Sequence, residues 1–262
     1  EGIYIASGLY RVANNMVRLG IDKDGASISG NFIISGIRKV TSTANSILFN
    51  SVFIGGSVSS STNHTYALRR SSVSASDSLF NNILVNNRAN SDAGTGRHYA
   101  ISTTDATSGV ENYNLFHNTG SGGAVGTVNS GSTAQTSLTD YQTAFSGRNA
   151  NSLFAAPLFV NTSGTAAQVD MHVQVGTPIE SAGSSAFPLI TDDFDSQTRA
   201  DLSPVDIGAD AGNFVAASTM SYVSSTATQL TGNACAGSSN VGVLRMESPK
   251  IKTTSRHRYC RF

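Results

Sequence analysis

Four short Asn-headed segments divide the first half of the chain at nearly even steps. Asn14-Asn15-Met16-Val17, Asn50-Ser51-Val52-Phe53, Asn81-Asn82-Ile83-Leu84 and Tyr113-Asn114-Leu115-Phe116 begin at positions 14, 50, 81 and 113, giving steps of 36, 31 and 32 residues. A period of this length marks a repeat in which one unit buries its apolar face only by stacking on the next. A second apolar run precedes each segment: Gly2-Ile3-Tyr4-Ile5, Gly36-Ile37-Arg38, Thr65-Tyr66-Ala67-Leu68 and His98-Tyr99-Ala100-Ile101. Such runs are too short for the two amphipathic helices a helical repeat requires, and their β-branched and aromatic residues favour strands. The unit is read as a coil of strands and the stack as a parallel β-helix. The Asn residues have a structural reading in it: they tolerate left-handed bends, and their amides can stack in a ladder from coil to coil.

Beyond the repeat, residues 119–148 read as an excursion ending in a short helix, with Leu138, Tyr141, Gln142 and Phe145 at helical spacing and Thr139 as its cap. Strands resume at Pro157-Leu158-Phe159-Val160 and Asp170-Met171-His172-Val173. The densest acidic stretch follows, from Asp192 to Asp210. Residues 1–214 are assigned to the β-helix and 215–262 to a linker, a fragment of a following β-domain and a disordered basic end. The chain opens directly on strand-like sequence, so it is expected to be a module cut from something larger, with solenoid ends open to self-association.

Composition narrows the function classes. The formal net charge is zero and 13% of residues are charged, which argues against a nucleic-acid partner. No apolar run is long enough to span a membrane as a helix. Both cysteines, Cys235 and Cys260, fall in the last 30 residues, so no disulfide framework supports the repeat. There is no HExxH, no Gly-x-Ser-x-Gly elbow and no phosphate loop.

Several stretches resemble one group. Asn14-Asn15-Met16-Val17-Arg18-Leu19-Gly20, Asn50 to Gly56, Arg97-His98-Tyr99-Ala100-Ile101, the run from Pro157 through Asp170-Met171-His172-Val173 to Ala182-Gly183, and the ending Asp193-Phe194-Asp195 … Arg199 … Pro204-Val205-Asp206-Ile207-Gly208-Ala209-Asp210 are similar to right-handed parallel β-helix modules. These belong to large secreted surface proteins that Gram-negative bacteria export through a C-terminal sorting domain. The resemblance covers residues 1–214 and implies a secreted or cell-surface location; a sorting domain is not recognisable here. Family members usually carry Gly where this chain has Ser196, so a less strained turn is expected after Asp195.

Two functional readings follow. The favoured one is a non-catalytic module for glycan binding, adhesion or spacing. The other is a polysaccharide lyase or glycoside hydrolase working on an extended, anionic polymer in a groove along the solenoid. Arg38, Lys39, Arg69, Arg70, Arg88 and Arg97 recur at similar points of successive coils and, stacked, would make a basic stripe. The substrate-binding set is placed at Arg38, Arg69, Arg97, His98 and Tyr99. The coil carboxylates Asp22, Asp24, Asp77, Asp92, Asp105 and Glu111 offer no acid–base pair at matching positions. Asp193, Asp195 and Asp206 are the candidate Ca²⁺ ligands, against a plain turn in which Asp193 and Asp195 accept backbone N–H bonds and Arg199 pairs with a carboxylate.

Overall fold

The computed structural model describes residues 1–128, 133–187, 189–202 and 204–214. The assignments made for residues 215–262 and for positions 129–132 of the 119–148 excursion lie outside the described residues. Glu1 to Phe214 belong to one compact unit.

That unit is a β-solenoid of about four coils, a parallel β-helix as the repeat demands. Its first sheet stacks Ile3–Ile5, Ile34–Lys39, Thr65–Arg70, His98–Thr103 and Gly123–Val128 in parallel, with Thr133–Gln135 added antiparallel at the far edge. The second sheet stacks Tyr10–Ala13, Asn45–Leu48, Ser78–Phe80 and Val110–Asn112. The third stacks Met16–Leu19, Ser51–Ile54, Ile83–Asn86, Leu115–His117 and Leu153–Phe154. Register carries like onto like through the interior. Ile3, Ile37, Leu68 and Ile101 form one column, and Val17, Val52, Leu84 and Phe116 another.

Only two residues separate the second sheet from the third, and the Asn-headed segments make this corner. Two duties expected of one Asn are divided between neighbours. The left-handed bend falls on Asn14, Phe49, Asn81 and Tyr113, with φ between 53° and 57°. The ladder falls on the next residue. The Nδ2 of Asn15 donates to Asn50 Oδ1 at 2.8 Å, that of Asn50 to Asn82 at 2.9 Å, and that of Asn82 to Asn114 at 3.0 Å. Each acceptor oxygen also takes the preceding ladder residue's backbone N–H. The amides therefore satisfy corner N–H groups that no strand partner reaches.

The short helix is Leu138–Ala144, and Ser137 rather than Thr139 caps it, its Oγ accepting the N–H of Asp140. Tyr141 and Phe145 are fully buried and join the solenoid core. Gly126 continues the Ile101 column and has no side chain because the Tyr141 ring fills that space; a Cβ there would lie 2.5 Å from the ring. The helix thus plugs the last coil of the core. At the opposite end Ile3, Val12 and Val17 are only partly buried, and the first-coil strands are paired on one side among the described residues. No helix of the described residues is long and apolar enough to cross a membrane.

Candidate functional site

The outer face of the first sheet gathers most of the residues expected to bind substrate. Tyr4, Arg38 and Arg69 are in register on successive strands, and Tyr66 is in register with Tyr99. The Arg69 guanidinium lies 4.7 Å from the centre of the Tyr66 ring, and Arg38 lies 5.7 Å from that of Tyr4. Arg38 also pairs with Glu1 at 2.6 Å. Tyr66 and Tyr99 stack with centroids 5.7 Å apart and an 18° interplanar angle, but both are buried, so Tyr99, expected to bind substrate, offers no open ring face. The ring contacts hold both cations over aromatic faces, leaving the Arg69 charge unpaired among the described residues while Glu1 offsets that of Arg38.

His64, not singled out in the sequence, completes this patch. Its ring meets Tyr99 edge-on at 5.6 Å, and its Nδ1 accepts the backbone N–H of Arg97 at 2.8 Å. The neutral ring therefore carries its proton on Nε2. Burial, and then the charges of Arg97 and Arg69, push its pKa down. The signal that would have found it is register: His64 immediately precedes Thr65, as Arg97 precedes His98, and Thr65 pairs with His98.

His98 does not belong to this face. It points inward, fully buried, with Nδ1 2.9 Å from Thr65 Oγ1 and Nε2 3.2 Å from Asn90 Oδ1. Burial, reinforced by the nearby Arg88 charge, pushes its pKa down to about 4, so it is a neutral core histidine. The basic stripe is likewise split. Arg38, Arg69 and Arg97 remain accessible to solvent, whereas Lys39, Arg70 and Arg88 are buried. Lys39 and Arg70 each approach Asp77 Oδ2 at 3.1 Å, and Arg70 also lies 3.6 Å from Glu111 Oε2. Arg88 donates to the carbonyls of Gly20, Gly55 and Ile28.

The coil carboxylates are correspondingly engaged. Asp77 and Glu111 are sealed in this interior cluster, where burial raises the Glu111 pKa. Asp22 accepts the N–H groups of Asp24 and Ala26, and Asp92 takes that of Ser60. Asp105 accepts from Ser108 and Thr107, bonds that hold its pKa down to about 2.

The acidic stretch is also sorted by the fold. Asp193 Oδ1 accepts the N–H groups of Asp195 and Gln197 at 2.9 and 2.8 Å, and its Oδ2 accepts that of Ala211. Asp206 accepts from Ser181 and Gly212 at 2.8 and 3.0 Å, and burial lifts its pKa to about 6. Both are turn braces, and they do not join Asp195 in one ligand set. Asp195 instead has its Oδ2 2.8 Å from His172 Nε2. Arg199 pairs with no carboxylate among the described residues. It donates to the carbonyls of Asp192, Gly208 and Ala209 and to Asn14 Oδ1, and lies 4.3 Å above the Phe49 ring. Ser196 adopts φ 65°, so the turn after Asp195 keeps the left-handed geometry that suits Gly, and the expected relief of strain is not found.

No family model matches the chain, and no curated protein or solved structure matches it either.

Proposed function

We propose that this chain is a non-catalytic β-helix module of a secreted or cell-surface protein, and that it holds an extended glycan along the outer face of its first sheet. The observation that carries this reading is the register of Arg38 with Arg69 beside the stacked Tyr66 and Tyr99, flanked by His64 and the exposed Arg97. The exposed Tyr4 ring can take the apolar side of a sugar, guanidinium groups take carboxylate or sulfate substituents in bidentate geometry, and the buried Tyr66 and Tyr99 only support the arginines from beneath. Coils repeat about every 4.8 Å, so the same chemistry recurs along the polymer's length. The resemblance to surface modules supports the location, and the neutral charge speaks against a nucleic-acid partner.

Catalysis has less support. A lyase or glycosidase requires a positioned pair of free carboxylates, and Asp77 and Glu111 are buried, Asp22, Asp92 and Asp105 accept N–H bonds in turns, and the exposed Asp24 pairs with Lys23. A panel of neutral and anionic polysaccharides, assayed for both binding and cleavage, tests the reading. Binding without product is expected; new reducing or unsaturated ends would replace the module with an enzyme.

A further inference from the structure

We propose that His172, Asp195 and Asp210 bind one divalent transition-metal ion of the zinc class, with Asp170 holding the imidazole in place. This site is separate from the glycan face and does not rest on that reading. One donor atom from each of the three residues lies within 4.8 Å of the others.

The local backbone explains how they meet. Asp170 and His172 are two residues apart on the strand Asp170–Val173, so their side chains leave by the same face. Asp170 Oδ1 lies 2.5 Å from His172 Nδ1 and also accepts the His172 backbone N–H at 3.0 Å. That contact makes Nδ1 the donor, so an ion displacing the Nε2 proton would meet the carboxylate–histidine–metal relation common to histidine-bound ions. Asp195 faces Nε2 at 2.8 Å, delivered by the turn that Asp193 braces.

Asp210 supplies the second observation. Its side chain is buried, with 6% of the residue exposed, and Oδ2 accepts the Val173 N–H at 2.8 Å. No donor among the described residues meets its Oδ1. That oxygen is not sealed from solvent, so it is open to a cation from the site's outer side. Desolvation raises the Asp210 pKa, and the charges of Asp193 and Asp195 add to the rise.

The donor set selects the ion. Ca²⁺ takes six to eight oxygen ligands, whereas one imidazole nitrogen with two carboxylates suits zinc and its neighbours. The remaining position has room for water or a ligand hydroxyl: a hollow of about 520 Å³, lined by Met16, Arg18, His172 and Phe194, opens beside the imidazole.

Calorimetric titration of the metal-free chain with Zn²⁺ near neutral pH tests the site. One equivalent is expected, lost in His172→Gln and Asp210→Asn and retained in His64→Gln. Asp170→Asn should weaken it by about 10- to 100-fold. Should Asp210→Asn fail to fold, because Asp210 braces Val173, the His172→Gln and Asp170→Asn variants decide, with their metal-free melting temperatures as the control for folding. Unchanged stoichiometry in His172→Gln would place bound zinc elsewhere and overturn the proposal. So would Ca²⁺ displacing Zn²⁺ at equal concentration, or no binding at all, which leaves His172 as an imidazolium bridging Asp170 and Asp195.

Discussion

Arg70 and Asp77 meet at 3.1 Å inside the solenoid, where neither has more than a trace of exposed surface. With Lys39 and Glu111 they form a buried cluster of two cations and two anions. Desolvation lowers the Lys39 pKa, though the Asp77 carboxylate opposes the shift. Asp77→Asn keeps the shape and removes the charge that answers both cations, so it should destabilise the fold by on the order of 3 kcal/mol. Lys39→Met in the same chain should return part of that loss, and a double-mutant cycle in urea measures the coupling. Additive effects would show that the two groups do not depend on each other.

The Asn column makes a separate prediction. Asn82→Ala removes the acceptor of the Asn50 backbone N–H and the donor to the carbonyls of Ile47 and Phe80. Leaving these buried groups without partners should cost about 3 kcal/mol. Asn15→Ala, on the half-buried first coil, should cost less. Equal losses in chemical denaturation would mean that the ladder does not gain from enclosure.

His98 predicts a pH dependence. Its folded pKa of about 4 lies below the unfolded value of 6.5, so the unfolded chain binds the extra proton first. Its contribution is fully present above the unfolded pKa and is lost as pH falls through the folded one, a change on the order of 3 kcal/mol. In His98→Gln the stability curve should be flatter across that window. A variant curve parallel to that of the native chain would exclude His98 as the cause.

On the glycan face, Arg69→Ala combined with Arg97→Ala should reduce affinity for an anionic polysaccharide at least tenfold, about 1.4 kcal/mol. The same pair should change the melting temperature little, because both side chains remain accessible to solvent. Undiminished affinity in a pull-down or calorimetric titration removes these arginines from the binding surface.

Much of this architecture was legible because the repeat leaves the same residues at the same corner of each coil. Asn15, Asn50, Asn82 and Asn114 announce the period, and the spacing of Tyr141 and Phe145 announces the helix. Sidedness was not legible. Ala67 and Leu68 both enter the core, as do Ala100 and Ile101, so simple alternation breaks within these strands. That break turns Arg69 outward and Arg70 inward, and nothing in the string Arg69-Arg70 distinguishes them. The acidic stretch was misleading for a related reason. Asp193 and Asp206 are near Asp195 in sequence, yet the turn aims their oxygens at backbone N–H groups, while His172 reaches Asp195 from 23 residues upstream.

The ladder also has a direction. From amide to amide the bonds all run toward the helix-plugged end, so the column has a head and a tail. At its head stands the Asn15 oxygen, which no described residue addresses. Two copies brought together first coil to first coil would set oxygen against oxygen there. A coil that presents an amide donor there, beside the edges of Ile3–Ile5 and Met16–Leu19, is the neighbour that would extend the column without interruption.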